Sequence, residues 1–192
     1  MQTSCKTGAT RLGAGVMVFV LLVCIGSWAQ KSEMFHATAY GTGTQLGRNL
    51  DVKIIVESYS TPEDQQVLLN ALKKGGTDAV TSALDKMPNR GRISLPGTVG
   101  YVVSYVRVWS TPTGRRIRLI TSRPIAIGEA WNSTRSSDYS VSAIELEVNN
   151  DMKKTTGTLM PAIKLKITKE NEIEVEAFQN PWRLGNFIDW GK

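Results

Sequence analysis

Leu50-Asp-Val-Lys-Ile-Ile-Val-Glu-Ser58, followed by Thr61-Pro-Glu-Asp-Gln-Gln-Val-Leu-Leu-Asn-Ala-Leu-Lys-Lys-Gly-Gly76, is the stretch on which the fold turns. In its first half Leu50, Val52, Ile54 and Val56 share one face, while Asp51, Lys53 and Glu57 take the other, interrupted only by Ile55. A period of two with one apolar face means a strand buried on one side and wet on the other. At Thr61 the period changes. A Thr cap, Pro at the first helical position and acids in the first turn start a helix. Val67, Leu68, Ala71 and Leu72 recur at helical spacing, and Gly75-Gly76 is expected to stop it. Thr77-Asp78 then opens a second helix with Ala79, Val80, Ala83, Leu84 and Met87 as its stripe.

On either side of this helical pair the pattern is strand. Upstream, Met34 to Tyr40 forms a first strand, joined to the next by Gly41-Thr-Gly-Thr-Gln-Leu-Gly47. Downstream, strands are expected at Arg92–Leu95, Tyr101–Trp109, Arg115–Ser122, Ser140–Val148, Leu159–Thr168 and Glu172–Phe178, with a long loop over 124–138. The C-terminal run from Asn180, rich in aromatics, docks on the fold or on a partner. About eight strands joined mostly by turns predict a mainly β chain, a β-rich α+β arrangement. It takes the form of an antiparallel β-sandwich or barrel with a two-helix insertion between strands 2 and 3. Pattern alone leaves sandwich and barrel open.

The N-terminus sets the expected compartment. Residues 14–28 are an apolar run behind a short acid-free head carrying Lys6 and Arg11, and Ser27-Trp28-Ala29 ends it with small residues at the cleavage positions. That is the layout of a secretory signal peptide over 1–29, cleaved near Ala29 to leave 30–192 as a single exported domain, periplasmic or extracellular. The competing reading is a lipid anchor at Cys24, because Leu21-Leu22-Val23-Cys24 approximates a lipidation box; membrane contact is expected only in that case. Both cysteines, Cys5 and Cys24, lie inside the expected signal. The remaining domain is cysteine-free and relies on its hydrophobic core without disulfides.

Several pieces of the exported part resemble a group of uncharacterised exported bacterial proteins. They are Ser60-Thr-Pro-Glu63 with Leu68-Leu69 and Gly75-Gly76; Arg115-Arg116-Ile117 leading to Arg123-Pro124-Ile125; Asp138-Tyr139 before Ile144-Glu145-Leu146; and Pro181 with Arg183-Leu184. The resemblance implies a bacterial, exported origin and carries no assigned activity.

Catalytic patterns find little support. Gly41-x-Gly43 lacks the third glycine of a dinucleotide loop and precedes a strand, so it reads as a hairpin tip. His36 is the only histidine, too few donors for a zinc site once the cysteines are gone, and ordinary partial burial is its expected fate. Glu170, Glu172, Glu174 and Glu176 read as a solvated strand face with Lys164 and Lys166 as cross-strand partners, rather than a glycosidase pair. Asn132-Ser-Thr134 is a glycosylation triplet that marks an exposed loop. No catalytic residue, metal ligand or cofactor is assigned.

The charge is localised. The chain carries +6, and residues 90–135 hold eight arginines against Glu129 alone. On the Tyr101–Trp109 strand, Tyr101, Val103, Tyr105, Arg107 and Trp109 are expected on one face, with Val102, Ser104, Val106 and Val108 opposite; Arg116 and Arg118 lie on the return strand. With the valine face as core, Tyr101, Tyr105, Arg107, Trp109, Arg116 and Arg118 form an outer ligand-binding face suited to an anionic envelope component or a small ligand. The alternative is that the aromatic face is itself core. Nucleic acid is not an expected partner outside the cytoplasm. The function that follows is an exported, non-enzymatic binding or envelope-associated protein. Alternatives are a barrel carrier of an amphiphilic ligand, or a hydrolase with a dispersed site.

Overall fold

A computed structural model describes residues 32–127, 138–178 and 180–189. The expected signal peptide, both cysteines, the Asn132 triplet and most of the 124–138 loop lie outside these residues.

The chain forms β1 (Glu33–Tyr40), β2 (Asn49–Val56), α1 (Pro62–Lys86), β3 (Gly91–Ser94), β4 (Tyr101–Thr111), β5 (Gly114–Thr121), β6 (Val141–Asn149), β7 (Thr156–Ile167), β8 (Ile173–Ala177) and β9 (Trp182–Asp189). All pairings are antiparallel. Neighbouring strands run β1-β2-β3-β4-β5-β6-β7-β9 and back to β1, a closed eight-stranded barrel, with β8 as an extra strand on β7. The choice between sandwich and barrel is therefore made in favour of the barrel.

Closure depends on β9, a strand the alternation does not announce. Trp182 and Leu184 point inward, paired in register with Leu159 and Gly157 of β7. On its other edge Arg183 faces Tyr40 and Ile188 faces His36 of β1. Between these pairs β9 carries one extra residue, where Asn186 takes a positive φ of 53°. This bulge breaks the period of two and brings Phe187 back against the core.

The interior is filled by Phe35, Ala37, Val52, Ile54, Ile93, Tyr101, Ile117, Leu119, Ile144, Leu146, Trp182 and others, all buried. Eight strands enclose a space that side chains can fill, and here they do. Gly157 faces inward, where a Cβ would come within 2.9 Å of the Leu146 side chain. The short β3 leaves part of β4 unpaired. Ser60 fills that gap, its N–H donating to the Val106 carbonyl (2.7 Å) and its Oγ accepting from the Val106 N–H (3.0 Å). The chain thus arrives at the wall just where α1 must begin.

There Thr61 caps the helix, accepting from the Asp64 N–H while the Asp64 carboxylate accepts from the Thr61 N–H. An Arg90–Asp64 ion pair (2.7 Å) ties this first turn to the start of β3. The helical insertion spans Pro62–Lys86 and is kinked at Gly75–Gly76, the pair at which the sequence places the boundary between two helices. Both glycines have non-helical backbone, Gly75 at φ −151°, ψ 18° and Gly76 at φ 58°, ψ −139°. The apolar stripe resumes in line beyond the break: Leu68, Leu69, Val80 and Leu84 bury against one surface. That surface is the outside of the barrel, built from Tyr105, Ile120, Val141, Ala143, Met160, Ile163, Leu165 and Ile173. Packing against a common wall stabilises both helical halves.

A Cβ at residue 76 would meet nothing within 4 Å, so Gly76→Ala tests the backbone alone. It is expected to destabilise the protein by about 1–3 kcal/mol through strain. In a continuous helix the same change would stabilise by about 1 kcal/mol. The sign of the change in chemical denaturation decides between them.

Candidate functional site

The arginine-rich hairpin is β4–β5, and its faces differ from those predicted by simple alternation. Val103 pairs with Thr121 and Tyr105 with Ile120, so two steps on β4 match one on β5. This bulge at Ser104 reverses inside and outside along the strand. Tyr101 and Val103 point into the barrel; Tyr105, Arg107 and Trp109 point out, opposite Val106 and Val108. The single face expected for Tyr101, Val103, Tyr105, Arg107 and Trp109 is corrected accordingly.

Tyr101 is 7 % exposed; its hydroxyl accepts from the Ala126 N–H (3.1 Å), and the Arg123 guanidinium lies 4.9 Å from its ring centre. Tyr105 is 2 % exposed beneath the helical layer. Burial pushes its phenol pKa up, with Arg107 acting in the opposite sense.

Arg107, Trp109, Arg116 and Arg118 do come together on the outer wall. Trp109 is flanked by two guanidinium groups, Arg107 at 4.8 Å and Arg118 at 5.2 Å from its ring centre. Each arginine also has a carboxylate. Arg107 binds Glu172 through both Nη atoms (2.5 and 3.0 Å). Arg118 donates to Glu145 (2.7 Å) and to the Ile173 carbonyl (2.6 Å), and Arg116 pairs with Glu147. Forked, charge-assisted contacts of this kind fix geometry. Here they fasten the start of β8 over the outer faces of β4 and β5. Three cations matched to three carboxylates leave this patch close to neutral.

Two of the four glutamates in the row that leads along β8 are likewise taken up in contacts, while Glu170 and Glu174 are exposed. Glu172 serves Arg107, while Glu176 pairs with Lys166 and accepts from the Tyr139 hydroxyl (2.7 Å). Lys166 and Tyr139 hold the Glu176 carboxyl below its ordinary range, and that carboxylate raises both Lys166 and Tyr139. Lys164 bonds Asp138 (2.6 Å), which raises the lysine. Among the described residues no group of three or more His, Cys, Asp or Glu side chains is placed to hold a metal.

The other half of the barrel's outside, β9-β1-β2-β3, is differently furnished, and sequence reasoning did not single it out. One row across it reads Ile188, His36, Lys53, Ser94, and the next reads Met34, Ile55, Arg92, Val102. None of these outward residues is buried; Ile188 and Val102 are 54 % and 41 % exposed. Among the described residues Lys53 and Arg92 have no carboxylate partner; Arg92 donates to the Val99 carbonyl (3.1 Å). The wet face of β2 was legible in the alternation, but its neighbours on β9 and β3 are set by pairing.

Among the described residues, the fold and its surfaces define a small, filled β-barrel with a helical flank on one side and, on the other, a partly exposed wall that carries Lys53, Arg92 and Asp51 beside apolar side chains. No family model, no curated protein and no solved structure matches this chain.

Proposed function

We propose that the protein is exported and acts as a non-enzymatic binding or envelope-associated protein, engaging an anionic component on the outside of the barrel. The observation that carries this reading is the contrast between the two walls. The hairpin arginines are neutralised by Glu145, Glu147 and Glu172, whereas among the described residues Lys53 and Arg92 form no ion pair and lie among the partly exposed Met34, Ile55, Val102 and Ile188. Unbalanced cations beside apolar surface suit a ligand that carries both negative charge and apolar or sugar faces. A carrier function would require Phe35, Trp182 and their neighbours to leave the interior they now occupy, which disfavours that alternative.

Retention on a phosphorylated polyanionic matrix tests the proposal. The double variant Lys53→Glu/Arg92→Glu is expected to elute at distinctly lower salt than the wild type. Lys73→Glu/Lys74→Glu, with the same change in charge on the exposed side of α1, serves as control and is expected to shift little. Equal shifts for the two would mean that retention reports net charge alone, and the reading would fall.

A further inference from the structure

At one end of the β9-β1-β2-β3 wall, the β1–β2 connection folds into a recess of about 370 Å³ lined by Tyr40, Thr42, Leu46, Arg48, Asn49 and Arg183, among others. Its shape is built in. Gly41 donates to the Arg48 carbonyl (2.9 Å), closing the loop, and a Cβ on Gly41 would stand 2.1 Å from the Gln45 carbonyl oxygen. Gly43 has φ +56° and packs so closely on Asn180 that a Cβ would lie 2.3 Å from its side chain. The Thr42 hydroxyl donates to the Pro181 carbonyl (2.5 Å), pinning the loop to the start of β9.

Two arginines, Arg48 from the β1–β2 connection and Arg183 from β9, line this recess. Arg183 on β9 is the register partner of Tyr40, which in turn faces Asn49. Arg48 is oriented by a neutral group: its Nη1 donates to Oε1 of Gln45 (3.1 Å), a buried residue. Neither arginine has a carboxylate partner among the described residues. Elsewhere Arg90, Arg107, Arg115, Arg116 and Arg118 each have one. A guanidinium steadied by an amide keeps its full charge and its remaining donors for a ligand.

We propose that this recess is a binding site for a phosphoryl group, held between Arg48 and Arg183, with Tyr40 and the exposed Leu46 contacting the group it is attached to. Two guanidinium forks match the charge and the acceptor geometry of a phosphate. The volume accommodates a small phosphorylated molecule or a phospholipid headgroup. The inference rests on the reading of the β9-β1-β2-β3 wall as the binding face, and it names the ligand chemistry at one end of that wall.

Two probes distinguish the sources of the phosphate: glycerol phosphate by calorimetry, and phosphatidylglycerol vesicles against phosphatidylcholine vesicles by co-sedimentation. The full chain is expected to bind at least one phosphorylated probe, and Arg48→Gln and Arg183→Gln are each expected to weaken that binding at least tenfold. Lys73→Gln/Lys74→Gln should leave it unchanged. Because both arginines are exposed, the variants should unfold at the wild-type midpoint. Binding of glycerol phosphate assigns a soluble ligand, whereas binding confined to the anionic vesicles assigns a headgroup. No binding to either probe, or binding indifferent to both arginines, overturns the site. In that case the wall reading still stands if matrix retention remains sensitive to Lys53 and Arg92, so the two failures are told apart.

Discussion

Trp182→Ala is expected to cost about 3–5 kcal/mol, the range for removing a large aromatic side chain from a packed core. Trp182 is 3 % exposed and shares the barrel interior with Phe35, Leu159 and Leu184. Its position adds to the effect. β9 is the strand that joins β1 to β7, and its pairing with β7 spans only Trp182, Arg183 and Leu184. A void at Trp182 therefore weakens the seam of the barrel as well as its core. Urea unfolding of the variant gives the number. A cost below about 1 kcal/mol, the size of a tolerated core swap, would mean that the barrel does not depend on this closure. Phe187→Ala, at a partly buried site on the same strand, is the internal comparison and should cost less.

Leu68→Ala and Leu84→Ala are each expected to cost about 2–5 kcal/mol. Both side chains are fully buried, one on each side of the Gly75–Gly76 break, and both pack into the layer formed with Tyr105, Ile120 and Val141. Comparable losses with a single unfolding transition are the outcome for one element docked along its whole length. Should Leu84→Ala cost under about 0.5 kcal/mol while Leu68→Ala is severe, the second half of α1 would not belong to the cooperative unit.

The elements themselves were largely legible. β1 through β8 fall within a few residues of the segments that alternation marks out, because each has one face in an apolar core. The start of α1 was legible from Thr61, Pro62 and Asp64, since capping and first-turn preferences act within four residues. The interruption at Gly75-Gly76 was legible too, because glycine readily takes the non-helical backbone found there. Only the wall on which Leu68 and Leu84 both pack shows that the two halves share one surface.

The candidate site was less legible than the fold. Alternation placed Tyr101, Tyr105, Arg107 and Trp109 together, and one extra residue at Ser104 separates Tyr101 from the rest. No local signal marks such a bulge, because it arises from fitting β4 to β5 while both curve around the barrel. The richness of arginine on the hairpin was visible, but its neutralisation was not: Arg107 meets Glu172 and Arg118 meets Glu145 across 65 and 27 residues of sequence.

By itself, the sequence determined the mainly β character, the strand segments, the wet face of β2 and the start of the helix, all of which depend on spacings of two to four residues. The tertiary structure alone decided closure and surface. Gly185 and Asn186 hide β9 from any periodicity, yet pairing with β1 on one edge and β7 on the other makes it the closing strand. Which arginines remain unbalanced was decided the same way. A carboxylate neutralises a guanidinium only at contact distance, and contact between Arg118 and Glu145, or its absence among the described residues at Arg48 and Arg183, is set by how the strands pair around the barrel.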